Sequence, residues 1–284
     1  MTTIWELDFY SRPIVDENKK KVWEVLLCES PTGIDTDTSN LFRYAEYCSN
    51  TQVNSTWLAE AIQKAIAQAG ITPDRIRFFR QAMNNMITKA CADVGVACQP
   101  SRRTFTLNEW LLDRNANVYP QEPGYQAGGA ATVAFPLTPP QPLPDALRGQ
   151  KWGTVALEAS AFADMNEWSI DFGESFPIAG MNLKPDTLVP GMIIYTPRAL
   201  AMAAWMSGLE MATVKYDTID GQQLVLETGV IDRWTLTPLV NMPLQAEAKQ
   251  FEDRKKEANG VHFIAIQSSP ESENFAGFWL LLDR

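Results

Sequence analysis

Six basic side chains lie between Asp74 and Arg103: Arg75, Arg77, Arg80, Lys89, Arg102 and Arg103. Only Asp74 and Asp93 oppose them, so the segment is net +4, and Phe78, Phe79 and Phe105 are close by. Guanidinium groups grip phosphate through paired hydrogen bonds, and aromatic rings stack on unpaired bases. In an extended strand Arg75, Arg77 and Phe79 share one face. The pattern suits a single-stranded RNA surface built from Arg75, Arg77, Phe79, Arg80, Lys89, Arg102 and Arg103. It suits equally a strand whose phenylalanines are core and whose arginines coat an edge.

A second constellation is acidic. Glu6 and Asp8 stand two apart on the first strand, and Glu24 and Glu46 lie on the next two. A two-metal nuclease needs several carboxylate oxygens converging on ions about 4 Å apart. A solvated sheet face opposite Trp5, Leu7 and Phe9 is the simpler account, because "DRIRFFR" brings arginines rather than another acid to the fourth strand. The single histidine, His262 in "VHFIAIQ", has no triad partners nearby and reads as a hydrogen-bonded strand residue. His/Cys clusters of zinc type, a Walker-type loop and a GxGxxG after a strand are absent, so neither metal nor cofactor is expected. Cys28, Cys48, Cys91 and Cys98 show no CxxC spacing and read as reduced, mostly buried thiols.

The elements that must position these residues follow from periodicity. "IWELDFYS" alternates, and "KVWEVLLCES" and "LFRYAEYCS" return as second and third strands. Asn54 or Ser55 caps a helix ending at Gly70, "DRIRFFR" is a fourth strand, a second helix stops at Gly95, and "VACQPSRRT" is a fifth strand. Three strands in a meander followed by strand–helix–strand crossovers predict a ribonuclease-H-like arrangement for the N-terminal half. Tyr119 to Gly149 holds seven prolines, which disfavours helix and central strand. The expected layout is therefore an α/β domain at 1–118, a proline-rich linker at 119–149, and a second mixed α/β domain at 150–284. That second domain opens with "WGTVALEAS" and "EWSIDFGESFPI"; "GMIIYTP" reads as a buried strand, Asp220-Gly221 as a hairpin turn, and "LQAEAKQFEDRKKEAN" as a charged surface helix. "VHFIAIQ" and "FWLLLD" should close the chain as a strand pair covered on both faces.

Charge narrows the partner. The chain of 284 residues carries net −10, and 149–284 accounts for −8 of it against −2 for 1–148. Contact with nucleic acid should therefore fall in the first half, through a local patch. No apolar run approaches the roughly 20 residues of a membrane span. The opening lacks a signal-peptide core and an Arg/Ser-rich transit segment, so an unprocessed cytoplasmic protein is expected, with association to thylakoids left open.

"TIWELDFYSRPIVDENKKKVWEVLLCE", "DRIRFFRQAMNNMI" and the terminal "FWLLLD" resemble the Tab-two/Atab-two family of RNA-binding translation factors of cyanobacteria, algae and chloroplasts. The family's Trp-Leu-Leu signature maps onto Trp279, Leu280 and Leu281. The resemblance implies binding to A/U-rich single-stranded RNA near the 5′ region of a photosystem messenger. It also implies a role in translation or biogenesis of reaction-centre subunits, translation or assembly proteins as further partners, and no enzymatic activity. The direct start on the family's opening is similar to a cyanobacterial member. A metal-dependent nuclease using Glu6 and Asp8, and a protein-binding assembly scaffold, are the competing readings.

Overall fold

The computed structural model describes residues 2–33, 36–128, 138–167 and 176–283. They form two compact units, one from Met1–Pro31 and Asp37–Phe135, the other from Thr32–Thr36 and Pro136–Arg284. Both are mixed α/β.

In unit 1, β1 (Ile4–Val15), β2 (Lys21–Glu29) and β3 (Arg43–Cys48) form an antiparallel meander. The first turn is shaped by the Asp16 carboxylate, which accepts from the N–H groups of Asn18 and Lys20. Helix α1 (Ser55–Ala69) starts where Asn54 accepts from the Trp57 N–H and ends at Gly70, whose φ of +69° suits a residue without Cβ. Then come β4 (Arg75–Phe78), α2 (Asn84–Val94), β5 (Ala97–Pro100) and α3 (Phe105–Asp113). The strand order is β3-β2-β1-β4-β5, with β4 parallel to β1 and β5 parallel to β4. One sheet face buries Trp5, Leu7, Phe9, Val25, Ile76 and Phe78 against α1 and α2.

Sequence reasoning placed no helix at Phe105–Asp113, yet α3 covers the opposite face. There Leu26, Cys28, Phe79, Leu107 and Trp110 make a smaller core. Within 119–149, Tyr119 is fully buried, Gln126 N–H bonds to Pro13 O (2.8 Å), and Ile14 bridges to Tyr125. Further on, β6 (Gln141–Pro142) pairs with a unit 2 strand and Leu143 is buried. Apolar side chains and free backbone groups thus draw both flanks of the proline-rich segment into the units; residues 129–137 lie outside the described ones.

Unit 2 holds two sheets. β7 (Lys151–Glu158), β8 (Leu188–Tyr195), β12 (Val261–Gln267) and β13 (Phe275–Leu282) order as β13-β12-β8-β7. β9 (Ala212–Asp217), β10 (Gln223–Thr228) and β11 (Asp232–Pro238) extend β6 as β6-β11-β10-β9. Helices α4 (Ala199–Ser207) and α5 (Met242–Glu257) complete the unit. The stretch "EWSIDFGESFPI" falls largely outside the described residues. The closing pair is present: β12 and β13 are antiparallel, with Ile264 opposite Trp279 and Phe263 opposite Leu280. Gly191 on β8 is required there, since a Cβ would lie 2.0 Å from the Phe263 ring. Among the described residues no helix is long and apolar enough to cross a membrane.

Candidate nucleic-acid interface

Register decides what each candidate residue faces. Residues directly opposite in a ladder share a sheet face. Glu6 pairs with Arg77 and Cys28, Asp8 with Leu26, and Tyr10 with Glu24, so all of these lie on the α3 side. Glu46 pairs with Val25 and therefore faces α1, where Lys64 bonds it at 2.7 Å. Glu46 is thus excluded from the acidic group that sequence spacing allowed.

The α3 side is not solvated. Glu6, Asp8 and Glu24 are all fully buried, which corrects the expectation of a solvated acidic face. A buried carboxylate persists only when paired or protonated, and the partners are at hand. Arg12 donates to Asp8 through Nη1 and to Glu24 through Nε, both at 2.8 Å. Arg80 bonds Asp8 through Nε and, at 3.2 Å, through Nη2. Arg114 bonds Glu24, and the Tyr119 hydroxyl donates to the same residue at 2.6 Å. Burial alone would raise the Asp8 carboxyl, but the adjacent Arg12 and Arg80 charges outweigh it and hold the group below its ordinary range.

Glu6 is held differently. It accepts from Ser30 Oγ (2.7 Å) and from the Leu107 N–H (2.8 Å) in the first turn of α3. A strand carboxylate thereby caps a helix that lacks its own side-chain cap. Burial pushes this carboxyl up to about 7, against the lowering effect of the Leu107 N–H, Ser30 and Arg77. Among the described residues no group of three or more His, Cys, Asp or Glu is placed to hold a metal ion. The guanidinium groups of Arg12, Arg80 and Arg114 surround Asp8 and Glu24.

The basic patch is divided by the fold. Arg75 is exposed at the amino end of β4, beside Asp74, whose carboxylate accepts from the Thr3 N–H. Arg77, Phe79 and Arg80 are buried, at 3%, 3% and 7% exposure. Arg77 faces Glu6, Phe79 sits in the core under α3, and Arg80 stacks 3.9 Å from the Tyr10 ring centroid while bonding Asp8. Lys89 is exposed on α2 and pairs with Asp93 at 3.2 Å. Arg102 and Arg103 are half-buried in the loop after β5. Sequence alternation put Arg77 and Phe79 on one face correctly; the helix covering that face was the missing fact. Leu107, Trp110 and Leu111, spaced i, i+3, i+4, were its readable signal.

Trp279, Leu280 and Leu281 are buried at 7%, 7% and 6% exposure. Trp279 and Leu281 enter a core with Met202, Met206 and Phe251, while the other face carries Phe278, stacked 4.8 Å from Phe263. Asp283 clamps the end of the strand, meeting Lys215 (3.1 Å) and Lys255 (2.8 Å). His262 is fully buried; its Nε2 accepts from the Val214 N–H (3.0 Å) and its Nδ1 bonds Gly260 O (2.9 Å). Burial, then the nearby Lys255 charge, push the imidazole down to about 3, so it is neutral and structural.

Comparison with known proteins agrees across both units. Residues 4–114 match the family model described as "RNA-binding protein Tab2/Atab2 N terminal", and 130–282 match the corresponding C-terminal domain. A chloroplastic TAB2 homologue of Zea mays is 38% identical over 98% of this chain and 71% of its own length. Its Arabidopsis thaliana counterpart is 37% identical over 98% and 74%. Among solved structures, a simian T-cell lymphotropic virus intasome in complex with the PP2A regulatory subunit B56 gamma and the HTLV-2 integrase catalytic core are similar over 42% of this chain. They cover 43% and 75% of those chains, at 16% and 17% identity and a TM-score of 0.26 each, too low to carry an argument. The chain belongs to the Tab2/Atab2 family of RNA-binding proteins.

Proposed function

We propose that this protein is a non-catalytic factor that binds A/U-rich single-stranded RNA and promotes translation or biogenesis of photosystem reaction-centre subunits. Family membership across both units carries the reading, since the family is described by RNA binding. The closure of Asp8 and Glu24 by Arg12, Arg80 and Arg114 supports the non-catalytic part, because it removes the open carboxylates a metal nuclease would use. Of the seven candidate residues, Arg75, Lys89, Arg102 and Arg103 are the ones with surface exposure to offer to phosphate. Arg77, Phe79 and Arg80 support the surface from beneath. The acidic excess of 149–284 supports unit 1 as the nucleic-acid side and unit 2 as a surface for translation or assembly proteins.

Filter binding of A/U-rich and G/C-rich single strands of equal length, at two salt concentrations, tests this. Tighter retention of the A/U-rich strand, weakening with salt, is expected. Incubation with Mg²⁺ or Mn²⁺ should leave the RNA intact. Equal retention of both strands, or metal-dependent cleavage lost in Asp8→Asn, would overturn the proposal.

A further inference from the structure

The parallel strands of unit 1 give its sheet a carboxyl edge, and the chain leaves β4 and β5 there side by side. Phe78 pairs with Pro100, so the two exits are level. From β4 the chain runs through Arg80 into a turn in which Met83 N–H bonds Arg80 O (3.0 Å), and then into α2. From β5, Ser101 N–H bonds Phe78 O (2.8 Å) and Arg103 N–H bonds Ser101 Oγ (2.9 Å). These bonds fix the Arg102–Arg103 loop beside the end of β4. Gln81, Asn84 and Asn85 arrive at the same edge, with Gln81 and Asn85 exposed and Asn84 half-buried.

The local sequence runs against stability. Helix α2 continues directly from a 3₁₀ turn, Gln81–Met83, and spends its first two positions on Asn84 and Asn85, whose side chains bond each other (Nδ2 to Oδ1, 3.3 Å). Asparagine is a weak helix former, so a helix that opens on two of them gives up some stability. Departures of this kind concentrate where function outweighs folding. Open α/β sheets bind ligands outside the carboxyl ends of their strands. Amide side chains offer a paired donor and acceptor to base edges, whereas arginines hold phosphate without reading sequence.

We infer that the carboxyl edge of β4 and β5 is the RNA-reading surface of unit 1: Arg102 and Arg103 hold phosphates, and Gln81, Asn84 and Asn85 read the edges of unstacked bases. The inference rests on the RNA-binding reading above and names the residues that would set its base preference. The full chain is titrated into fluorescein-labelled dodecamers of A, U and C, by anisotropy, at 50 and 200 mM KCl as roughly low and physiological salt. R102A/R103A should weaken binding to all three about tenfold and reduce the salt slope by about 1.4, at about 0.7 per phosphate contact. R102K/R103K should recover most of the loss. Q81A/N84A/N85A should leave the salt slope alone and narrow the spread of Kd among the dodecamers about tenfold, or about 1.4 kcal/mol, as loss of base-edge contacts predicts. K249A/K256A, an exposed charge-matched pair on α5, should bind as wild type. Wild-type behaviour of both edge variants, with wild type itself binding, overturns this inference and leaves the RNA-binding reading standing. An equal loss in K249A/K256A overturns it too, by assigning the effect to bulk charge. Failure of wild type to bind any dodecamer defeats the RNA-binding reading and the inference together.

Discussion

Asp8→Asn separates a structural carboxylate from a catalytic one. Asp8 is fully buried, and Arg12 and Arg80, at 2% and 7% exposure, both direct guanidinium nitrogens at it. Asparagine keeps the shape, so no cavity opens. What is lost is the charge that compensates two desolvated cations; Arg12 retains Glu24, and Arg80 retains only the Tyr10 and Phe79 rings. Removing one partner of a buried ion pair costs about 3–5 kcal/mol. With a urea m-value of about 2 kcal/mol/M, the midpoint for unit 1 falls by about 1.5–2.5 M. Urea unfolding of the full chain gives the shift, and hydrogen exchange of peptides from β1 and β12 assigns it to a unit. The Asp8 carboxyl is depressed in the fold, so its contribution is present above the ordinary carboxylate pKa and lost as pH falls through the lower folded value. Wild type and variant should therefore converge only below roughly pH 4. A variant within about 0.3 M of the wild-type midpoint, or a stabilised one, would refute the reasoning.

Glu6 runs the opposite way. Its folded pKa of about 7 lies above the ordinary 4.5, so its contribution is full below 4.5 and lost as pH rises through 7, a change of about 3 kcal/mol. Glu6→Gln should match wild type at pH 5 and exceed it at pH 8, and parallel pH profiles would sink this account. His262, the only histidine, should show an NMR ring resonance that does not move between pH 8 and pH 5; a midpoint near 6.5 would contradict its burial. Trp279→Ala should cost unit 2 about 3–5 kcal/mol, and deletion of residues 279–284 should abolish its cooperative unfolding while exchange in β1 stays slow. A truncated chain with a wild-type unit 2 transition would show that β13 is dispensable.

Much of the fold was legible because its signals are local. Asn54, Gly70 and Gly95 bracket α1 and α2, and apolar residues on both faces of "FWLLL" announce a strand covered twice. The interior of the α3 face was not legible, for a physical reason. An alternating strand with acids on one face looks the same whether water or guanidinium groups meet those acids. The groups that decide it lie far along the chain: Arg80 is 72 residues from Asp8, and Arg114 is 90 from Glu24. The basic patch misled in the same way. Composition gathers Arg75 to Arg103 into one segment, whereas the β4–α2–β5 crossover buries Arg77, Phe79 and Arg80, leaves Lys89 exposed on α2, and sends Arg75 and the Arg102–Arg103 pair to opposite ends of the parallel strands.

The Trp-Leu-Leu tripeptide shows how far letters alone can carry function. It occurs twice, at Trp110–Leu112 and at Trp279–Leu281. In α3 the helical period buries Trp110, half-buries Leu111 and leaves Leu112 63% exposed. In β13 the same residues divide between two covered faces and all three are buried. At roughly 1.5–3 kcal/mol for each fully buried side chain, the second copy contributes several kcal/mol to unit 2. RNA could reach those side chains only by opening a sheet whose end is clamped by Lys215 and Lys255 on Asp283. The burial of this second copy fits a structural part in closing unit 2. The recognition surface proposed above lies instead on residues that folding leaves accessible, Gln81 and Asn85 among them.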